Sequence, residues 1–380
     1  MTKRAALVQI ILFSAFIAVF FLLFIFMPDK TFSERENKEL AQAPAFRFED
    51  LVSKKFTTRF EAYTTDQFPF RDSWTAIKAV CELGIGKMAN KGVYLCEDET
   101  LIEGYEAPDQ AQLDSNVEAV GDFAAAAEVP VYFALVPGNS EVHSGLLPKA
   151  APNDSQQAVI DYAYERSGAA AIDIGGVMKA HADEYIYYRT DHHWTSLGAY
   201  YAYETLMTAM GRQPSPLSDF TPETVSDSFY GTVYSKSGMS WVRPDSIQIF
   251  APQEETTQIV NYGTNEPVSG TMYDYTFLEK KDKYAMFMGG NTALLKMTTE
   301  KTDAPKLLII RDSYMDALLP FLQASYSEID VMDLRYYKTQ LVESSVKDYI
   351  RENGIDEVLI CYSVYNFGTD TNVFMLTQNQ

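Results

Sequence analysis

The sequence predicts an α/β fold with a mainly parallel sheet, and three observations carry that expectation. Between residues 306 and 362, short apolar runs alternate with amphipathic stretches: strand Lys306–Ile310, helix Tyr314–Ser325, strand Ile329–Leu334, helix Leu341–Asn353 and strand Glu357–Tyr362. A β-α-β-α-β run of this kind implies parallel strands with right-handed crossovers. A further buried strand is written at Val129–Val136, VPVYFALV, which stops at Pro137-Gly138. Finally, 47% of the 380 residues are hydrophobic, with 25 Tyr and 23 Phe, so the chain can fill one enlarged core or two ordinary ones.

Taken in order, the chain begins with 23 uncharged residues, Ala5–Met27. At about 1.5 Å per residue this is enough to cross a hydrocarbon core of about 30 Å. Lys3 and Arg4 precede the run and Pro28-Asp29 follows it, which puts the N-terminus in the cytoplasm and the remainder outside. A cleaved signal peptide is the competing reading. Its apolar region is usually about 7–15 residues and ends at small residues, whereas this run continues into PDKTFSEREN. We therefore expect an uncleaved anchor over residues 1–27.

Residues 28–47 suit a tether, the stretch Pro28–Pro44 being polar, charged and bounded by prolines. Phe48–Met88 places Leu51, Phe56, Phe60, Tyr63, Trp74, Ile77, Val80 and Leu83 at helical spacing, as two helices joined at Phe68-Pro69-Phe70. That aromatic joint reads as a packing junction. Ala169–Ile174 and Glu184–Tyr188 read as strands, and Ser196–Met210 as an amphipathic helix. Tyr185–Tyr188 has the composition for stacking on sugar rings or for plain packing. From about 212 to 304 the pattern breaks into short strands and turns, a β-rich insertion.

Composition narrows the function. A formal charge of −21 disfavours nucleic acid as a partner. Cys81, Cys96 and Cys361 are too scattered for a disulfide framework or a zinc site. A Cys81–Cys96 bridge is open to the sequence, though buried free thiols are the reading we expect. No metal and no cofactor is expected.

Chemistry concentrates at two places. Ser313, in IIRDSYMDALLPF, sits where a buried strand gives way to a helix, at the carboxyl edge of the sheet where α/β proteins bind ligands. The helix that starts at Tyr314 offers N–H groups for an oxyanion, but a helix N-cap accounts for a serine there equally well. Of the four histidines, His192 and His193 are adjacent, in YYRTDHHWTSLGAY. Asp191 is close enough to orient the His193 imidazole as a base for a serine. Alternatively Asp191 caps the helix entered at Thr195-Ser196 while a histidine packs beside Trp194. Metal binding by Asp191, His192 and His193 is a third reading, against which stands the poor convergence of adjacent side chains.

Thr190-Asp191-His192-His193-Trp194-Thr195 resembles the signature of the DHHW family, and its Asp-x-His-Trp core is similar to that of SGNH-hydrolase-like proteins that O-acetylate alginate outside the inner membrane. FSERENKEL (32–40), FEAYTTDQFPFRDSW (60–74), YAMFMGGN (284–291) and LLIIRDSYMDALLPFL (307–322) extend the likeness in order. The resemblance implies an SGNH-hydrolase-like three-layer domain over residues 48–380, with Asp191 orienting, His193 as base and Ser313 as nucleophile. It further implies acyl, and by the alginate likeness acetyl, transfer to a cell-surface or exported polysaccharide. A multi-pass membrane O-acyltransferase is the implied partner that delivers the acyl group. An esterase with the same residues, and a scaffold or glycan-binding protein with an idle triad, are the rival readings. For the oxyanion and substrate contacts we name Gly290 and Asn291, for which a plain turn is the competing account, with Gly138-Asn139 second. Tyr314, Arg311 and Asn366 are further candidates near strand ends, Arg311 being equally suited to pairing with a carboxylate.

Overall fold

The structure, a computed structural model, describes residues 3–252, 258–262, 266–340 and 345–378. They form two compact units, one of residues 1–90 with 235–241 and one of 91–234 with 242–380. Contacts thus divide the chain at residue 90, with residues 235–241 returning to the first unit.

In the first unit, α1 (Lys3–Phe26) is long and apolar enough to cross a membrane and is almost wholly exposed. The stretch expected as a plain tether is shaped. Strands β1 (Phe32–Ser33) and β2 (Lys38–Glu39) pair antiparallel, and Asp66 Oδ1 and Oδ2 accept from Lys38 Nζ (2.8 Å) and Ala41 N–H (3.0 Å). Three helices follow in place of two: α2 (Phe48–Val52), α3 (Lys55–Asp66) and α4 (Arg71–Gly84). The additional break falls at Lys54, whose positive φ of 63° interrupts the helical path. The Phe68–Phe70 joint does turn the chain, but both phenylalanines are largely exposed, not packed into a core.

The second unit contributes β3 (Val93–Leu95) paired with β4 (Leu101–Glu103), α5 (Gln110–Ala126), β5 (Val131–Val136), α6 (Gln156–Ser167), β6 (Ala170–Ile172) and α7 (Ser196–Ala209). Then come β7 (Phe220–Phe229), β8 (Asp245–Pro252), β9 (Gln258–Asn261), β10 (Val268–Gly270), β11 (Leu294–Thr298), β12 (Lys306–Arg311), β13 (Glu328–Met332), α8 (Val346–Asn353) and β14 (Glu357–Ser363). An eight-stranded sheet runs β10-β9-β11-β13-β12-β14-β5-β6. Its last five strands are parallel and the first three antiparallel. The insertion therefore does two things: β7 and β8 form a separate hairpin, and β9–β11 widen the main sheet.

Why this sheet is buried on both faces follows from its period of two. Leu307, Ile309, Leu359, Cys361, Ala134 and Val136 enter one core, with Tyr203, Leu206 and Met207 of α7. Their neighbours Leu308, Ile310, Val358, Ile360, Phe133 and Leu135 enter the other, against Val117 and Val120 of α5 and Ile160 of α6. The result is a three-layer α/β/α arrangement, with helices on both faces of a mainly parallel sheet.

In the second unit three expected elements differ from what is observed. Glu184–Tyr188 is no strand; only a Tyr187–Trp194 bridge forms, because the backbone of this segment pairs within its own loop, Thr195 N–H with Ile186 O and Tyr188 N–H with His193 O. The helix expected over Tyr314–Ser325 is a 3-10 turn, Ser313–Ala317, followed by one turn of α-helix, Leu319–Leu322, with Pro320 inside it. The helix expected from Leu341 begins at Val346, and 341–344 lie outside the described residues. All three thiols are free, and only Cys361 is buried; Cys96 is half-buried and Cys81 exposed.

Asn116 on α5 donates from Nδ2 to the carbonyls of Phe367 (2.6 Å) and Asp370 (2.9 Å), satisfying buried acceptors near the end of the chain. Asn116→Leu removes both donations, and only Gln112 Nε2 (3.3 Å) still reaches the Asp370 carbonyl; the change should cost about 1–3 kcal/mol, read as a lower midpoint in urea unfolding followed by circular dichroism.

Candidate active site

Asp191, His192 and His193 lie at the tip of a narrow loop. Thr195 N–H donates to Ile186 O (2.9 Å) and Tyr188 N–H to His193 O (3.2 Å), closing its base. The backbone N–H groups of Arg189 and Thr190 donate to Asp245 on β8 (3.0 and 2.8 Å), and Thr190 Oγ1 lies 2.5 Å from the same carboxylate. At the other end, Thr195 caps α7 by accepting from Gly198 N–H. Asp191 is thus not the cap that its position allowed.

Its carboxylate does something else. Oδ1 lies 2.6 Å from His193 Nδ1 and also accepts the His193 backbone N–H (3.0 Å), while Oδ2 accepts from Thr232 N–H (2.7 Å) and Oγ1 (3.0 Å). Burial alone raises a carboxyl's pKa, but His192, His193 and the Thr232 N–H overcome it and hold Asp191 well below the ordinary carboxylate range. Gly231 makes room: a Cβ there would sit 2.2 Å from Asp191 Oδ2.

His193 Nε2 lies 2.8 Å from Ser313 Oγ. Burial, followed by the neighbouring His192, pushes the His193 pKa down to about 4 against the opposing pull of Asp191. The imidazole is therefore neutral near pH 7. With Nδ1–H given to Asp191, its Nε2 lone pair faces the serine hydroxyl. Tyr284 stacks on the ring at 3.8 Å and 9° and donates its hydroxyl to Ser313 O (3.2 Å), fixing both partners. Trp194 Nε1 donates to Tyr314 O (2.8 Å), fastening the histidine loop to the serine turn.

Ser313 follows the carboxyl end of β12, and Asp312, not Ser313, is the N-cap: its Oδ1 accepts Tyr314 N–H (3.0 Å). Asp312 Oδ2 reaches the end of the adjacent β14, accepting from Ser363 N–H (2.9 Å), Ser363 Oγ (2.6 Å) and Asn366 Nδ2 (2.8 Å). A cavity of about 310 Å³ opens here, and Asp191, His192, Tyr314, Asn366, Asn139 and Gln156 are among its lining residues.

The remaining candidates divide. Asn366 and Tyr314 line the cavity, although Tyr314 N–H is occupied by Asp312 and its hydroxyl by His192 O. Gly290 and Asn291 are not among the lining residues. Gly289 and Gly290 make a turn at φ 76° and 91°, and Asn291 Oδ1 accepts from Arg311 Nη1 (2.9 Å). Arg311 is itself buried, paired with Asp316 at 3.0 Å, so it braces the sheet beneath the serine turn. Gly138 and Asn139, after β5, occupy the lining instead. Sequence reasoning missed Thr232, Tyr284 and Asp312. Tyr284 lies within a stretch that carried the family likeness, whereas Thr232 has no local motif.

The donor atoms of Asp191, His192 and His193 lie within 4.8 Å of one another, so a cation is a geometric option. His192 Nδ1 is engaged with Thr232 Oγ1 at 2.6 Å, however, and both Asp191 oxygens are engaged as described.

Comparison with known proteins accords with this architecture. The family model described as DHHW protein matches residues 126–332, more than half of the chain. The chain belongs to the DHHW family. A DHHW family protein from Eubacterium siraeum shares the fold at a TM-score of 0.63 and 26% identity, covering 76% of this chain and 96% of that one. PatB1 of Bacillus cereus, solved with a sulfonyl adduct, gives 0.61 and 20%, covering 75% and 97%. The O-acetyltransferase domain of Pseudomonas putida AlgJ gives 0.48 and 16%, covering 76% and 99%. No curated protein matches significantly.

Two outcomes are expected. Gly231→Ala should drive the Asp191 carboxylate off His193 and lower ester turnover by roughly tenfold or more, equivalent to at least about 1.4 kcal/mol, with circular dichroism unchanged. Because His193 remains neutral down to about pH 4, modification of Ser313 by a sulfonyl fluoride should lose rate along an acid limb near pH 4. A limb near the ordinary histidine value of about 6.5 would contradict the assigned environment. The same depressed pKa makes the site's contribution to stability full above the unfolded value and progressively lost as pH falls toward 4.

Proposed function

We propose that the protein is a membrane-anchored, extracytoplasmic serine-type acyltransferase that moves an acyl group, an acetyl group by the family likeness, onto a polysaccharide hydroxyl. One observation carries the reading: the hydrogen-bonded line from Ser313 Oγ through His193 to Asp191, at 2.8 and 2.6 Å, with the imidazole neutral and the carboxylate ionised.

In this reading His193 Nε2 takes the Ser313 proton as Oγ attacks the acyl carbonyl, and returns it to the departing donor alcohol or thiol, leaving an acyl-serine. An incoming sugar hydroxyl then loses its proton to His193, attacks the acyl-serine and carries the acyl group away as Ser313 is restored. The amides of Asn139 and Asn366 at neighbouring strand ends, with the Ser313 N–H, are our candidates for holding the oxyanion. Tyr314 serves as a wall of the acceptor pocket, and Arg311 and Asn291 as supports.

The lining favours an uncharged stretch of glycan over a uronate. Asn139, Ser140, Gln156 and Asn366 offer amides and a hydroxyl, Glu103 and Asp191 bring carboxylates, and no lysine or arginine is among the described lining residues. We place residues 1–27 as the anchor with the N-terminus cytoplasmic, 28–47 as the outward connection and 48–380 as the SGNH-like domain. The acyl group then has to arrive from the membrane side, and a multi-pass O-acyltransferase is the partner suited to supply it.

Full-length protein in detergent, given a nitrophenyl acetate donor and neutral or uronate oligosaccharides, tests both parts. The expected result is acetyl transfer to the neutral acceptor, abolished by Ser313→Ala and His193→Ala and lowered roughly 10⁴-fold by Asp191→Asn. Turnover indifferent to Ser313→Ala would refute the triad, and release of acetate with either sugar present would make the protein an esterase.

A further inference from the structure

The first unit wears its apolar surface on the outside. Along α4, Phe70, Trp74, Ile77, Cys81 and Ile85 recur at i, i+4, i+7, i+11 and i+15, a single helical stripe. All five are exposed, Phe70 at 56%, Ile77 at 51% and Ile85 at 85%. A helix on the surface of a water-soluble protein turns this stripe inward. Along one edge of the stripe run Arg71, Lys78 and Glu82, with Arg71 paired to Glu36 (2.7 Å) and Glu82 to Lys87 (3.0 Å).

The aromatic contacts with α1 fix a depth. Phe24 meets Tyr63 edge-on at 5.5 Å, Phe20 stacks on Phe68 at 5.6 Å and approaches Trp74 at 5.7 Å, and Phe16 meets Trp74 at 6.4 Å. With Phe26 at the hydrocarbon boundary, a rise of about 1.5 Å per residue puts Phe20 about 9 Å and Phe16 about 15 Å inside. Side chains packed on them share that depth. On that placement Trp74 falls within the acyl layer of the leaflet at the C-terminal end of α1.

We propose that α4 is a membrane-seated helix. Its stripe from Phe70 to Ile85 lies in the acyl chains beside α1, and the Arg71–Lys78–Glu82 edge faces the headgroups, as amphipathic interfacial helices do. The unit is then held by a spanning helix and by a helix in one leaflet, which restricts rotation about the anchor. This rests on α1 being a membrane anchor.

The test uses the full chain in phosphatidylcholine nanodiscs, with Cys96→Ser so that the exposed Cys81 takes a bimane maleimide while Cys361 is buried. In a second protein, Phe13→Cys with Cys81→Ser and Cys96→Ser places the same label within α1. Lipids carrying a doxyl group at acyl carbon 5 should quench both labels, and Ile77→Glu with Ile85→Glu should reduce Cys81 quenching roughly twofold or more while the Phe13 position is unaffected. Quenching at Phe13 alone, with Cys81 open to a charged impermeant maleimide, overturns the proposal and leaves the anchor standing. Quenching at neither position overturns both. Loss of Cys81 reactivity without quenching overturns it in favour of a protein partner or a second copy.

Discussion

A carboxylate that is only 2% exposed, as Asp191 is, persists ionised only where donors meet its oxygens. Four do so here: the His193 ring and backbone N–H on one oxygen, the Thr232 N–H and hydroxyl on the other. Much of the site's construction is explained by that requirement. The loop is pinned by Asp245 so that Asp191 points inward, Gly231 lets the 231–232 backbone approach, and the imidazole is left with one orientation and one tautomer. Remove the donors and the charge would have to be neutralised, taking the histidine's orientation with it.

The serine side depends on the sheet. Ser313, Asn366 and Asn139 follow the carboxyl ends of three adjacent parallel strands, β12, β14 and β5, whose registers pair Arg311 with Cys361 and Ser363 with Val136. Adjacent parallel strands finish at one edge, so residues far apart in sequence converge without long loops. Asp312 locks that edge by capping the serine turn with one oxygen and binding the β14 end with the other. Its capping role also frees Ser313 from the local duty that a serine at a helix start commonly has. Because the following helix is short, the dipole of a long helix contributes little here, and the amides at neighbouring strand ends become more important donors.

What the sequence disclosed and what it hid follow the range of the interactions. Asp191 and His193 were readable as a pair because a single residue separates them. Strands β5, β12, β13 and β14 were readable because burial on both faces writes continuous apolar runs. Thr232 was not readable, since it has no motif of its own and its role is set by Asp191, 41 positions away. Gly290 and Asn291 misled because two glycines before an asparagine describe a turn and an oxyanion loop equally, and only the buried Arg311 decides what Asn291 is needed for. The Tyr314–Ser325 helix misled through its apolar spacing, which Pro320 cuts short.

The first unit shows a further limit of pattern reading. Helical spacing of Trp74, Ile77 and Ile85 identifies a face, but periodicity is silent about the medium that the face meets. In water the face must be covered by protein, and a core junction is the natural inference for FPFR and its neighbours. Beside an apolar span the same face can meet lipid, where no hydrophobic penalty attaches to exposure. On the proposed seating, exposed Phe68 and Phe70 cease to be anomalies: the joint that bends α3 into α4 is apolar where it meets acyl chains, and the charged flank of α4 faces the headgroups. Hydrophobic pattern and solvent have to be assigned together, and in this chain α1 supplies the information about solvent that α4 lacks.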